Sequence, residues 1–70
     1  MKRADLAYFI KERRKQLNLS QLDLAELSDV SVRQLSDIET EKSSPTIETL
    51  SKICETLGLS IELKVKGTDV

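Results

Sequence analysis

The sequence predicts an all-α fold, a bundle of four or five short helices over residues 1–58, followed by a C-terminal β-strand and tail over 59–70. Three features carry that expectation. Apolar residues recur at intervals of three and four in short runs, two of them opened by Ser20 and Ser31, whose hydroxyls suit the orphan N–H groups of a first helical turn. Asn18, Asp29 and Gly58 stand where runs break, and these residue types accept a left-handed backbone better than most. Strict alternation of apolar and polar residues is confined to 59–66.

The first helix is expected over residues 5–17, with Leu6, Phe9, Ile10 and Leu17 as its apolar stripe and the KERRK run on the faces between. Asn18 fits the corner that follows, and Leu19 turns back toward the core. Ser20 caps a second helix with Gln21 and Asp23 in its first turn and Leu24, Ala25 and Leu27 as its apolar pattern. That pattern breaks at Ser28-Asp29, and Ser31 caps a third helix in which Leu35 and Ile38 share a face. The opposite face holds Val32, Arg33, Ser36 and Asp37, a set with hydrogen-bonding reach and little value for packing. After the polar loop TEKSSP, Pro45 precedes a further helix beginning near Thr46, whose stripe is Ile47, Leu50, Ile53, Cys54 and Leu57 and whose stop is Gly58.

In the tail LSIELKVK, Leu59, Ile61, Leu63 and Val65 lie on one face and Ser60, Glu62, Lys64 and Lys66 on the other. A lone strand leaves its backbone groups unpaired and its apolar face wet. A second copy of the chain solves both: in an antiparallel pair centred on Leu63, Ile61 faces Val65 and Glu62 faces Lys64. The alternatives are a frayed tail or a strand that docks on a different protein.

Composition narrows the chemistry. Seventy residues with no histidine, one cysteine and two glycines leave no room for a catalytic domain, and disfavour metal sites, histidine-assisted nucleophiles and an internal disulfide. No enzyme and no cofactor is expected. Cys54 shares helical spacing with Leu50, Ile53 and Leu57, which reads as a buried thiol acting as a small hydrophobe. The start MKRADLAYFI has neither a long apolar stretch nor a cleavage-type pattern, so a cytoplasmic protein is expected. The net charge is −1, yet its distribution is uneven. Residues 1–20 hold six Lys/Arg (Lys2, Arg3, Lys11, Arg13, Arg14, Lys15) against Asp5 and Glu12, whereas residues 21–57 hold three against eight acids. Phosphate affinity follows local basic surface rather than the total, so a nucleic-acid partner stays open.

Two short helices joined by a tight corner, residues 20–39, form the geometry that sets one helix into the major groove of DNA. Spacing alone leaves a plain helical hairpin equally open. The stretch IKERRKQLNLSQLDLAELSDVSVRQLSDIETEKSSPTIETLSKICETLGL, however, resembles the Cro and phage-repressor type of helix-turn-helix protein, the xenobiotic-response-element (XRE) family. The matching features are Arg14, Ser20-Gln21, Leu24-Ala25, Val30-Ser31, Leu35 with Ile38-Glu39, and Pro45-Thr46 with Leu50.

That resemblance implies a lambda-repressor-like helical domain and particular roles. Arg14 and Glu39 would form an ion pair tying the first helix to the end of the reading helix. Val32, Arg33 and Asp37 would face bases, with Arg33 bidentate to guanine, Val32 against a thymine methyl, and Asp37 accepting from cytosine or orienting Arg33. Ser20, Gln21, Ser36, Lys42, Ser43, Ser44 and Thr46 would contact the DNA backbone. The family often has Gly where Asn18 and Asp29 stand, and charged residues where Leu22 and Leu27 stand. The two leucines read either as a patch for another protein or as peripheral core. The ending CETLGLSIELKVK resembles small HipB-like antitoxins, in which tail strands pair across a dimer. That likeness implies a homodimer that binds a palindromic operator, represses its own operon and binds a HipA-like kinase toxin. A stand-alone phage-like or restriction-modification controller repressor needs the same DNA face without the toxin, and a pure protein-interaction module needs neither.

Overall fold

Among the described residues, four helices form where side-chain oxygens and left-handed corners punctuate the chain: α1 (Arg3–Gln16), α2 (Gln21–Ser28), α3 (Val32–Glu39) and α4 (Ile47–Leu57). They belong to a computed structural model that describes residues 2–63 and 65–67. Three starts are capped by hydroxyls. Ser20 Oγ accepts from Asp23 N, Ser31 Oγ from Gln34 N and Thr46 Oγ1 from Thr49 N, at 3.0, 3.0 and 3.1 Å. Asp23 and Gln34 reach back to the N–H groups of Ser20 and Ser31, completing capping boxes. The hydrogen bonds from the Ser20 backbone and side chain hold the Asp23 carboxyl below its ordinary pKa. That cap is therefore fully present above the usual aspartate range and fades as pH falls through the depressed value.

All four helices stop by one device. The residue after the last turn, or one beyond it, adopts a left-handed backbone: Asn18, Asp29, Glu41 and Gly58 have φ of 56°, 57°, 64° and 71°. In each case the next N–H bonds five residues back, Leu19 to Arg14, Val30 to Ala25, Lys42 to Asp37 and Leu59 to Cys54, at 2.8–3.1 Å. Leu19 and Val30 then turn in to pack on the core. Lys42 occupies the equivalent place after α3 and carries an exposed cation there instead.

Glu41 was absent from the expected corners because its residue type does not favour them. A left-handed L-residue costs about 1–2 kcal/mol, and Glu lacks the short polar side chain that eases it for Asn18 and Asp29. Glu41→Gly should accordingly raise stability by about 1 kcal/mol, read as a higher midpoint in thermal unfolding followed by circular dichroism.

The core gathers Ile10, Leu24, Ala25, Leu35, Ile38, Ile53 and Leu57, with Leu6, Leu19, Val30 and Leu50 against its edge. Several expected core positions lie outside it. Phe9 and Leu17 are exposed, because α1 turns Leu6, Ala7 and Ile10 inward instead, with Arg13 bonded to Leu57 of α4 and Arg14 to Glu39 of α3. Ile47 is exposed as the first residue of α4, beyond the reach of the stripe that Leu50, Ile53, Cys54 and Leu57 continue. Leu22 and Leu27 are both on the surface, and Ser28 is the buried residue on that side of α2, donating to Thr56 Oγ1 at 3.0 Å. Cys54 is buried, and burial pushes its thiol pKa up.

The expected strand at 59–66 is not formed among the described residues, and Lys64 lies outside them. A ladder needs a hydrogen-bonding neighbour, and among the described residues no other segment offers an edge. Among the described residues, no helix is long and apolar enough to cross a membrane.

Candidate nucleic-acid interface

Leu35, Ile38 and Glu39 fix the inward face of α3. That rotation leaves Val32 and Ser36 in one outward row and Arg33 and Asp37 in the next. Val32 and Arg33 are exposed in the first turn, while Ser36 and Asp37 are half-buried one turn on. Arg33 and Asp37 form no salt bridge with each other, and among the described residues no carboxylate pairs with the Arg33 guanidinium.

Beside this face stands a buried polar cluster. Arg14 donates from Nε and Nη2 to the two oxygens of Glu39, both at 2.8 Å, and from Nη1 to the Leu19 carbonyl at 2.8 Å. Their side chains are 12% and 2% exposed, so the pair sits in low dielectric where its geometry must be complete. The hydrogen bond to Glu39 raises the Arg14 pKa, with desolvation opposing and the Glu39 charge assisting. Gln21 Nε2 also donates to Glu39 Oε1 at 3.2 Å. One amide proton of Gln21 is thus used inside the chain, and the residue is held at the start of α2, where backbone N–H groups favour an anion.

The remaining expected backbone contacts are distributed unevenly. Lys42 and Ser43 N–H groups both bond to the Asp37 carbonyl, at 2.8 and 3.3 Å, which fixes the start of the α3–α4 loop against α3. Ser44 Oγ accepts from Arg3 Nε at 2.8 Å. The Ser20 and Thr46 hydroxyls are both occupied as helix caps, so what they present outward is a helix N-terminus more than a hydroxyl. Sequence reasoning missed two arginines. Arg13 Nε donates to the Leu57 carbonyl at 2.8 Å, tying α1 to the end of α4, and Arg3 reaches the loop. Pairs separated by 44 and 41 residues leave no periodic signal.

A helix-turn-helix family pattern matches residues 10–64, well over half of the chain. The chain belongs to the helix-turn-helix family. Similar family members include the HTH-type transcriptional regulator PuuR of Escherichia coli, 44% identical over 52 residues, which make up 74% of this chain and 28% of PuuR. The HTH-type transcriptional regulator DdrOP3 of Deinococcus deserti is 30% identical over 60 residues, 86% of this chain and 46% of DdrOP3. This helix-turn-helix chain therefore spans less than half the length of either. The uncharacterized regulator y4mF of Sinorhizobium fredii is 33% identical over 64 residues, 91% of this chain and 84% of y4mF. Among solved structures, a mutant of the restriction-modification controller protein C.Esp1396I superposes with a TM-score of 0.78 at 29% identity, covering 83% of this chain and 75% of the controller.

Proposed function

We propose that this helix-turn-helix protein is a sequence-specific DNA-binding transcriptional regulator that acts as a homodimer, and that it is the antitoxin and autorepressor of a HipBA-like toxin-antitoxin operon. The observation that carries the DNA reading is the outward face of α3. The side chains of Val32, Arg33, Ser36 and Asp37 stay out of the core, while Gln21 at the N-terminus of α2 bonds to Glu39 and the Lys42 loop is held by the Asp37 carbonyl. Base edges are read by side chains presented from a helix in the major groove, and flanking amides and cations fix its register on phosphates.

The dimer reading rests on the tail. Leu63 and Val65 are 95% and 78% exposed, and Leu59 and Ile61 border an apolar groove with Leu6, Phe9, Leu50 and Cys54. Pairing the tails of two copies would dry these residues, and a two-fold dimer reads a palindromic operator whose half-sites are spaced by a multiple of about 34 Å. Deleting residues 59–70 should convert a dimer to a monomer in solution mass measurements. An unchanged dimer would reject the ribbon.

A second reading, a restriction-modification controller without a toxin, is favoured by the structural likeness to C.Esp1396I. One experiment separates the two. The purified protein should retard the DNA fragment upstream of its own gene in a low-salt gel shift. A kinase-like neighbouring gene product that binds the protein and alters the shift supports the antitoxin, and the absence of such a neighbour supports the controller. Failure to shift the fragment rejects both in favour of a protein-interaction module.

A further inference from the structure

Arg3 opens α1, and its Nε donates to Ser44 Oγ at 2.8 Å, joining the start of the first helix to the α3–α4 loop. The loop it meets is itself fixed, since Lys42 and Ser43 are both held by the Asp37 carbonyl. Arg14–Glu39 is the one salt bridge among the described residues, so no carboxylate of those residues pairs with Arg3. A guanidinium whose Nε is committed to a hydroxyl still carries two NH2 groups, a fork that suits phosphate oxygens.

Charge makes this cation consequential. Residues 21–57 supply only Arg33, Lys42 and Lys52 against eight acids, so α2, α3 and their loops are short of positive charge for a polyanion. The basic excess lies in residues 1–20, and a cation from there must be delivered to the reading side to count. The Arg3–Ser44 bond makes such a delivery.

We propose that Arg3 is a phosphate-binding residue of the DNA interface, positioned by Ser44, so that the α3–α4 loop presents two cations, Arg3 and Lys42. This rests on the DNA reading above. It also makes Ser44 a positioning residue whose hydroxyl serves Arg3.

Affinity for a fluorescein-labelled mixed-sequence duplex, measured by anisotropy across a potassium chloride series, tests the proposal. Arg3→Gln should reduce the slope of log affinity against log salt by about 0.9 for each protomer bound. Arg3→Lys should keep the parent slope, and Ser44→Ala should weaken binding with a smaller change of slope. An Arg3→Gln slope equal to the parent's overturns the proposal. If Arg3→Gln and Arg3→Lys both lower the melting temperature and weaken binding at unchanged slope, Arg3 is a structural tie and the proposal falls. No binding by the parent chain at any salt overturns the DNA reading and this proposal with it, whereas parental binding with an unaltered Arg3→Gln slope overturns this proposal alone.

Discussion

Glu39→Ala should destabilise the protein by about 3 kcal/mol, comparable to the whole margin that a single core of this size supplies. Glu39 is nearly fully buried and receives three hydrogen bonds, two from Arg14 and one from Gln21. Truncation leaves the Arg14 cation without its partner in low dielectric and frees the Gln21 amide, and both losses fall on the folded state. Urea unfolding at neutral pH, followed by helical circular dichroism, should show a much lower midpoint and a population already unfolded without denaturant. An unchanged midpoint would sink this assignment. Replacing both partners by methionine should recover part of the loss. Recovery should be incomplete, because the Leu19 carbonyl and Gln21 would still lack the groups they now bond.

Arg33→Ala should leave that midpoint unchanged and weaken binding to the cognate operator by roughly 1–3 kcal/mol, about 5- to 150-fold. Arg33 is exposed in the first turn of α3 and has no salt-bridge partner among the described residues, so the helical fold should not depend on it. The operator is first located by footprinting the upstream fragment, and affinities are then compared on operator variants and on random duplex. A lost preference at one base pair per half-site is the expected signature, whereas Lys42→Ala should weaken every duplex alike. Equal losses on operator and random DNA for Arg33→Ala would remove it from the reading set.

Much of the helical fold was legible because its punctuation is local. Ser20 and Ser31 announce helix starts by residue type, Pro45 marks a third that the structure caps with Thr46, and Asn18, Asp29 and Gly58 announce stops. Glu41 stops α3 by the same geometry without the residue that advertises it, so the loop carrying Lys42 could be placed but not shaped. Periodicity misjudged α1, where Phe9 and Ile10 both fit an apolar stripe and only packing against α3 and α4 decides between them. The outward set on α3 followed from the inward pair Leu35 and Ile38, whose positions determine what the rest of the helix can present. Arg13 and Arg3 were illegible for the opposite reason: each bonds to a residue more than forty positions away, and composition showed only that the chain's beginning is basic. The tail's alternation was plain, but a period of two does not say which edge it will meet.

The side chains of Val32, Arg33, Ser36 and Asp37 stay out of the core, while Leu35, Ile38 and Glu39, which anchor α3, point the other way. On the proposed DNA reading, address and architecture are therefore written on separate sides of a single eight-residue rod. On the DNA reading proposed above, such a rod can be re-addressed: exchanging the exposed Val32 and Arg33 for another pair should redirect the protein to a different stretch of duplex without repacking its interior.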